Sequence, residues 1–432
     1  MERLCAASAH GLASLEIICN ILVLYITLHK RGYGGVDPYQ RRKSAKKERI
    51  FQVRTSLFFT ATLFLLGFPP ATAQIAVSAH DGKQVREGDP VAGPFPDEIV
   101  TLAFGREGPE ILGRVSAPAT LNGPPVSVAV APSGRFALVA VSQRLDDAGK
   151  LQPRGAVSLI DIGDPRHPRL VQTLETAPGA MGVTLNPNAS LALVTSANDD
   201  SIALLAVDRG QALRQIGSIK LDAKAGPRDV IFAPGGKRAY AVRFGDGKIT
   251  ELAVSSSGLS RVRDITVGTQ PYGAIIGKDG RYLYNANFGG TPLSGTAGAI
   301  STVDLRSGQM VAAVAVGTVP EHVVLSPDGR LLAAVMGNGS AFTRTAANFA
   351  TVTGRLRLFR VSGPTLTQIA EADIGHNCQG AAFSDDGRAL LVQCAVEKDV
   401  SLFRIEGETL VRGNAPLTFD ARPGAIATAR SR

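Results

Sequence analysis

The side chains best suited to chemistry in this chain of 432 residues recur at one position of a repeated segment. The position lies eight residues before a tight turn, and in four successive repeats it is polar: Arg228, Tyr272, Glu321 and Gln379. Three more polar residues lie within two positions of it: Asp229, His322 and Asn377. A guanidinium group with carboxylates, amides and an imidazole around it predicts a site for a small amphipathic or anionic ligand.

Two interpretations of these residues, which we call the polar arc, stay open. In the first, Arg228 binds a carboxylate or phosphate of a ligand, and His322 beside Glu321 is a candidate general base. In the second, the polar arc is only a hydrated surface, and Arg228 forms an ion pair with Asp229 or Glu321. The sequence contains no CxxC, CxxCH or HExxH motif, so zinc ribbons, c-type haem and zincin chemistry lack their ligand spacing. Glu321, Asn377 and Asp229 could contribute to a divalent-cation site in the channel, but no spacing requires one, and we expect no metal site and no cofactor.

The element that positions the polar arc is a repeated hairpin. Six segments share an apolar strand, a tight turn and a second apolar strand: 126–141, 182–197, 229–244, 273–288, 322–337 and 380–395. A third and a fourth strand follow most of them, and the unit recurs about every 50 residues. Four antiparallel strands per unit, from A to D, are typical of the blade of a β-propeller.

The number of blades follows from the length of the repeated region. Residues 74–432 accommodate about seven units, but only six hairpins are complete. The seventh blade is predicted to take strand A from 422–430 and its other strands from 74–79, 98–104 and 110–117. Closure with strands from both termini removes free sheet edges. The prediction is therefore an all-β fold, with one seven-bladed β-propeller over residues 74–432.

Three phrases, VGTQPYGAIIGKDGRYLYNAN (267–287), VGTVPEHVVLSPDGRLLAAV (316–335) and IGHNCQGAAFSDDGRALLV (374–392), resemble the YVTN-type propeller repeat. AGPRDVIFAPGGKRAY (225–240) resembles the seven-bladed lactonase-like family, which includes bacterial 6-phosphogluconolactonase. The resemblance covers nearly all of residues 74–432 and implies the propeller fold, but it says less about activity, because such repeats occur in proteins of unrelated chemistry. The lactonase-like pattern carries a His after Gly-Pro-Arg, whereas Asp229 follows Arg228 here.

The predicted binding face is the one on which the A strands begin. In a propeller, the connections between strands B and C emerge on that face. Long insertions are expected there at 80–97, 143–155, 288–298 and 337–354. The other three repeats place Val126, Met181 and Gly424 at the position of the polar arc. The sequence therefore predicts a channel mouth with one polar half and one apolar half.

Cys378 and Cys394 flank the Asp386-Gly387 turn almost symmetrically. They should face each other across strands A and B, within the reach of a disulfide. In an exported protein we expect that bond to form. Two buried free thiols are the alternative.

The positive charge is concentrated at the N-terminus. The net charge is +9, but residues 1–73 hold 10 basic and 4 acidic residues, which leaves 36 basic against 33 acidic residues in 74–432. A nearly neutral body offers no electrostatic reason to expect a nucleic-acid partner.

A basic run at 41–54, an apolar stretch at 57–68 and an Ala-x-Ala site at 71–73 indicate a secretory signal peptide with cleavage before Gln74. The expected organisation is a leader extension at 1–54, a signal peptide at 55–73 and the propeller. Residues 1–40 either add a membrane anchor or precede the true start, and the second interpretation is favoured. In both cases we expect a periplasmic or secreted protein that contacts the membrane only through a retained leader.

Two functions are consistent with these observations, so whether the protein is an enzyme stays open. The favoured one is non-catalytic binding of a small molecule or protein at the channel mouth and on the B-to-C loop face. Asp229 in place of the family His, and the lack of a nucleophile–base pair, favour it. The alternative is a lactonase-like enzyme that hydrolyses or isomerises a sugar or aromatic lactone.

Overall fold

The computed structural model describes residues 74–90, 93–291 and 294–429. The predicted leader extension (1–54) and signal peptide (55–73) lie outside the described residues. Within those residues the structure is all-β and forms seven sheets of antiparallel strands arranged as successive blades. No segment of the described chain is a helix long and apolar enough to cross a membrane.

The first three strands are β1 (Ile75–Asp81), β2 (Glu98–Phe104) and β3 (Pro109–Ser116). Blade 1 consists of β4 (Val128–Val130), β5 (Phe136–Leu145), β6 (Leu151–Asp161) and β7 (Arg169–Glu175). Blade 2 consists of β8 (Ala180–Leu185), β9 (Leu191–Ser196), β10 (Ser201–Asp208) and β11 (Ala212–Lys220). Blade 3 consists of β12 (Pro227–Phe232), β13 (Arg238–Arg243), β14 (Lys248–Ser255) and β15 (Gly258–Thr266).

Blade 4 consists of β16 (Pro271–Ile276), β17 (Tyr282–Asn287), β18 (Gly298–Asp304) and β19 (Gln309–Gly317). Blade 5 consists of β20 (Pro320–Leu325), β21 (Leu331–Met336), β22 (Arg355–Ser362) and β23 (Thr365–Asp373). Blade 6 consists of β24 (Cys378–Phe383), β25 (Ala389–Cys394), β26 (Asp399–Glu406) and β27 (Thr409–Arg412), with the short β28 (Leu417–Thr418) also paired to β26. The last strand is β29 (Arg422–Thr428).

The predicted ring closure is confirmed. β29 is strand A of blade 7 and pairs with β1, so that the strand order in this sheet is β29-β1-β2-β3. Every blade thus has four strands, and the seventh combines both ends of the described chain. The seven-bladed propeller expected from the repeat is therefore the observed fold.

The burial pattern explains why inner and outer strands differ in sequence. β17 and β25 are buried at every residue, because blades pack against both of their faces. The D strand β11 has only one buried residue, Leu213, and its other residues are exposed or partly buried. The A-to-B turns need a left-handed residue, which is Gly280 (φ 68°) in blade 4 and Ala189 (φ 53°) in blade 2.

The predicted disulfide is present. The register of β24 and β25 places Cys378 directly opposite Cys394, and the two residues are bonded with their Cα atoms 3.7 Å apart. The bond joins strands A and B of blade 6 at the face where the polar arc begins.

Three predicted insertions follow the B strands as expected, but the one at 143–155 is largely strand. β5 continues to Leu145 and β6 starts at Leu151, so only 146–150 form a turn. The Asp146 carboxylate accepts hydrogen bonds from the backbone N–H groups of Ala148 and Lys150, which stabilises a tight connection. Blade 1 therefore has a long hairpin in place of a loop.

Candidate functional site at the channel mouth

The seven A strands surround a central channel of about 690 Å³. Its wall is largely apolar and includes Val128, Leu185, Phe232 and Ile276. Asp229 and His322 also line the channel, at the end where the A strands begin. The polar arc lies at this same end, which we call the mouth.

Arg228 is the second residue of β12, and its guanidinium carbon lies 4.9 Å from the centre of the Phe244 ring. Its Nη1 atom is 2.7 Å from the sulfur of Met181. Neither expected ion pair, with Asp229 or with Glu321, is formed, and no carboxylate of the described chain lies within ion-pair distance of this guanidinium. The Nε–H is buried without a hydrogen-bond partner among the described residues. Arg228 thus has capacity left for an anionic group.

Next to Arg228 lie three partly buried aromatic rings, which we call the aromatic wall: Phe244, Tyr272 and Phe288. The ring centres of Tyr272 and Phe288 are 4.3 Å apart, and Phe244 lies 5.8 Å from each of them. Both Phe residues directly follow a B strand, β13 or β17. They are absent from the site predicted by the sequence, because that site contains only residues near the beginnings of A strands, although the two Phe share one repeat position.

Glu321 is the second residue of β20, and it is only 6% exposed. Its carboxyl group has no hydrogen-bond or ion-pair partner in the described part of the chain. Burial raises the pKa of Glu321 to about 8. Burial and the nearby Glu321 charge also raise the pKa of Tyr272 well above its usual value, while Arg228 opposes this effect. The charges of Arg228 and Glu321, in blades 3 and 5, therefore both act on Tyr272 in blade 4.

Asp229 and His322 connect neighbouring A strands. The Asp229 carboxylate accepts a hydrogen bond of 2.9 Å from the Ala274 N–H of the next blade, and His322 Nδ1 accepts one of 3.2 Å from the Ala381 N–H. Nδ1 is therefore an acceptor, and the ring proton of neutral His322 is on Nε2. This arrangement favours a positioning role for His322 over the expected role of general base.

Asn377 and Gln379 are each 5% exposed and lie beneath two long loops, whose described residues, 82–90, 93–97 and 337–354, we call the roof. Because an arginine only donates, the Asn377 amide oxygen must face Arg86, at 2.9 and 3.2 Å from its two terminal nitrogens. Arg86 also donates to the Phe342 carbonyl, at 3.1 Å, and so joins the two loops. The Gln379 amide lies 2.9 Å from that of Asn377. The structure thus separates these two residues from Arg228 and Tyr272.

The predicted apolar half of the mouth is covered by the chain itself. Residues 117–126, which we call the connector, pass so close to Gly424 that a Cβ there would lie 2.7 Å from the Thr120 carbonyl oxygen. A Cβ on Gly380 in blade 6 would lie 2.9 Å from Pro125, and one on Gly123 would lie 3.2 Å from Met181. The side of the mouth that the connector leaves uncovered runs from Arg228 to Glu321.

No three His, Cys, Asp or Glu side chains within the described residues are placed to hold a metal ion. The uncovered side of the mouth instead combines an unpaired guanidinium, an aromatic wall and a carboxyl group whose pKa lies near neutrality. These features make this side of the mouth the candidate site of a seven-bladed propeller.

The chain belongs to the family described as lactonase with a 7-bladed beta-propeller, which matches residues 98–365. The family resemblance read from the repeats is thereby confirmed. No curated protein sequence matches the chain.

Solved structures similar to this chain include related propellers. A candidate 6-phosphogluconolactonase from Bacteroides fragilis has a TM-score of 0.64 and 18% identity, over 82% of this chain and 98% of that one. A periplasmic gluconolactonase from Pseudomonas aeruginosa has a TM-score of 0.60 and 17% identity, over 82% and 98%. A protein of unknown function from Desulfotomaculum acetoxidans has a TM-score of 0.61 and 14% identity, over 83% and 100%. At these identities the likeness establishes a shared fold.

Proposed function

We propose that the protein is a lactone hydrolase whose site is the uncovered side of the channel mouth. One observation carries the proposal: the Glu321 carboxyl is buried without a partner, and its pKa of about 8 suits proton transfer near neutral pH. Membership of the lactonase family supports this function over non-catalytic binding, and so do the gluconolactonase names of two similar structures.

In the proposed reaction, ionised Glu321 takes a proton from a water molecule as its oxygen attacks the lactone carbonyl carbon. Arg228 stabilises the negative charge that develops on the carbonyl oxygen and remains on the product carboxylate. The ring C–O bond then breaks, and its oxygen leaves with the proton held by Glu321. Water is the only co-reactant, and the product is a hydroxy acid.

The proposal is tested by measuring hydrolysis of D-glucono-1,5-lactone and 3,4-dihydrocoumarin between pH 6 and 9, corrected for spontaneous opening. Because the base form of Glu321 is required, kcat/KM should rise with pH and level off above about 8. Glu321→Gln should lower kcat by a factor on the order of 100 or more, and Arg228→Met should also lower kcat/KM.

Glu110→Gln, an exposed residue of β3, is the matched control and should leave the rates unchanged. Full activity in Glu321→Gln would contradict the proposed mechanism. Binding of lactones or hydroxy acids without turnover would instead support the alternative, non-catalytic binding.

We also propose that the protein is exported to the periplasm or secreted. The basic run, apolar stretch and Ala-x-Ala site support export, and a disulfide such as Cys378–Cys394 is stable in an oxidising compartment. Intact-mass analysis of the expressed protein is the test. A mature chain that begins at Gln74 is expected, and an uncleaved chain in the cytoplasm would contradict export.

A further inference from the structure

The mouth offers an aromatic surface beside Arg228, whose Nε–H has no hydrogen-bond partner among the described residues. The aromatic wall is partly exposed, with ring separations in the range of favourable stacking and edge contacts. Arg228 is held against one of these rings, so an anion bound to it would keep the rest of the ligand near the wall. A sugar ring has hydroxyl groups on all sides and gains less from such a surface than a planar apolar group.

Four cations around the roof are already engaged. Arg86 joins the roof to Asn377, and the Arg344 guanidinium donates to the Val396 carbonyl at 3.1 Å. Arg422 and Lys398 both pair with Asp89, whose side chain is 6% exposed. These groups hold the roof in place, whereas Arg228 lies at the aromatic wall with no carboxylate partner among the described residues.

A phosphate ester needs several converging donors, which this side of the mouth does not provide. Helix N-termini and clusters of backbone N–H groups commonly bind phosphate. The described chain has no helix, and the backbone N–H groups of Ala274 and Ala381 at the mouth are bonded to Asp229 and His322. Ionised Glu321 would also repel a dianion.

From this arrangement we infer that the site selects lactones that carry a planar aromatic group and no phosphate. The inference rests on the proposed hydrolase function and names its substrate class. The aromatic group lies against Phe244, Tyr272 and Phe288, and the carbonyl group lies between Arg228 and Glu321.

The test compares kcat/KM at pH 8 for 3,4-dihydrocoumarin, D-glucono-1,5-lactone and D-glucono-1,5-lactone 6-phosphate. Dihydrocoumarin should exceed the phosphorylated lactone by about tenfold or more. Phe288→Leu and Phe244→Leu should each reduce the preference for dihydrocoumarin over gluconolactone by roughly two- to tenfold, mainly through KM. Phe342→Leu is the matched control, because Phe342 is 61% exposed on the roof and outside the wall.

The test distinguishes a failure of the substrate-class inference from a failure of the proposed hydrolase function. If the phosphorylated lactone is preferred, the inference is overturned while the hydrolase function stands. If none of the three lactones is opened, the hydrolase function fails. Calorimetry on Glu321→Gln then decides the ligand class separately, with 3-(2-hydroxyphenyl)propanoate and 6-phosphogluconate as probes. Tighter binding of 6-phosphogluconate would overturn the inference there too, and tighter binding of the aryl acid would support it.

Discussion

Glu321 combines two properties that a carboxyl group rarely has together: it is almost fully buried, and it has no partner among the described residues. Desolvation therefore acts on it without compensation, and its pKa is raised to about 8. A structural acid in such a place would normally be paired or replaced, because an unpaired buried carboxyl reduces stability. We interpret this loss of stability as the cost of a proton-transfer group.

The effect of Glu321 on the free energy of unfolding depends on pH. In the unfolded chain Glu321 ionises near pH 4.5, whereas in the folded protein it stays protonated up to about pH 8. Stability is thus unaffected below pH 4.5 and decreases as pH rises to about 8. Glu321→Gln should therefore raise the free energy of unfolding by about 4 kcal/mol at pH 8 and hardly change it at pH 4.

Urea unfolding at the two pH values measures this difference, with Glu110→Gln as the exposed control. An equal effect of Glu321→Gln at pH 4 and pH 8 would show that the buried carboxyl does not titrate as described.

Among the strands, β13 of blade 3 fixes one edge of the aromatic wall. Its last residue, Arg243, has a side chain that is 0% exposed and directly precedes Phe244. The guanidinium contacts the carboxylates of Asp222 at 2.7 Å, Asp264 at 2.9 Å and Asp246. These contacts connect the end of β13 to β15 and to the segments before and after the A–B hairpin.

Arg243→Met should lower the free energy of unfolding by about 2–3 kcal/mol, because it removes charge-assisted hydrogen bonds from a buried guanidinium to three carboxylates that stay partly solvated. Arg261→Met is the control: Arg261 shares Asp222 and Asp264 but is 37% exposed, so a loss of about 1 kcal/mol or less is expected. Chemical unfolding of both variants gives the comparison. Equal losses in the free energy of unfolding would mean that the burial of Arg243 does not strengthen its ion pairs.

At the scale of the whole molecule, ring closure determines which part of the mouth is accessible. β29 brings the C-terminal strand beside β1, and Arg422 at its start binds Asp89 of the roof and donates to the Ala395 carbonyl at 2.8 Å. The roof then covers Asn377 and Gln379, while the connector covers the beginnings of the strands in blades 7 and 1. Arg228 and Tyr272, in blades 3 and 4, stay partly exposed, and this asymmetry distinguishes one candidate site on a ring of similar blades.

The candidate site was only partly predictable. Arg228, Tyr272 and Glu321 share one repeat position, and the ring brings them onto adjacent strands as expected. Gln379 shares the same position and Asn377 lies two residues before it, but both lie under loops that start about 40 residues before them and at the opposite end of the chain. No local pattern predicts such a cover, because it depends on contacts between Arg86, Phe342 and Asn377. The two Phe of the aromatic wall do share a repeat position, but that pattern does not show that their rings lie beside Arg228.

The strand pattern, the seven blades, their closure by both ends and the Cys378–Cys394 pair could all be predicted from the sequence. These follow from alternation, turn residues and a repeat length, which act over short distances along the chain. Which polar residues are desolvated and which are hydrogen-bonded or ion-paired became clear from the three-dimensional arrangement alone. Burial depends on the neighbouring blades and loops, so a pKa such as that of Glu321 is set by atoms far away in the sequence.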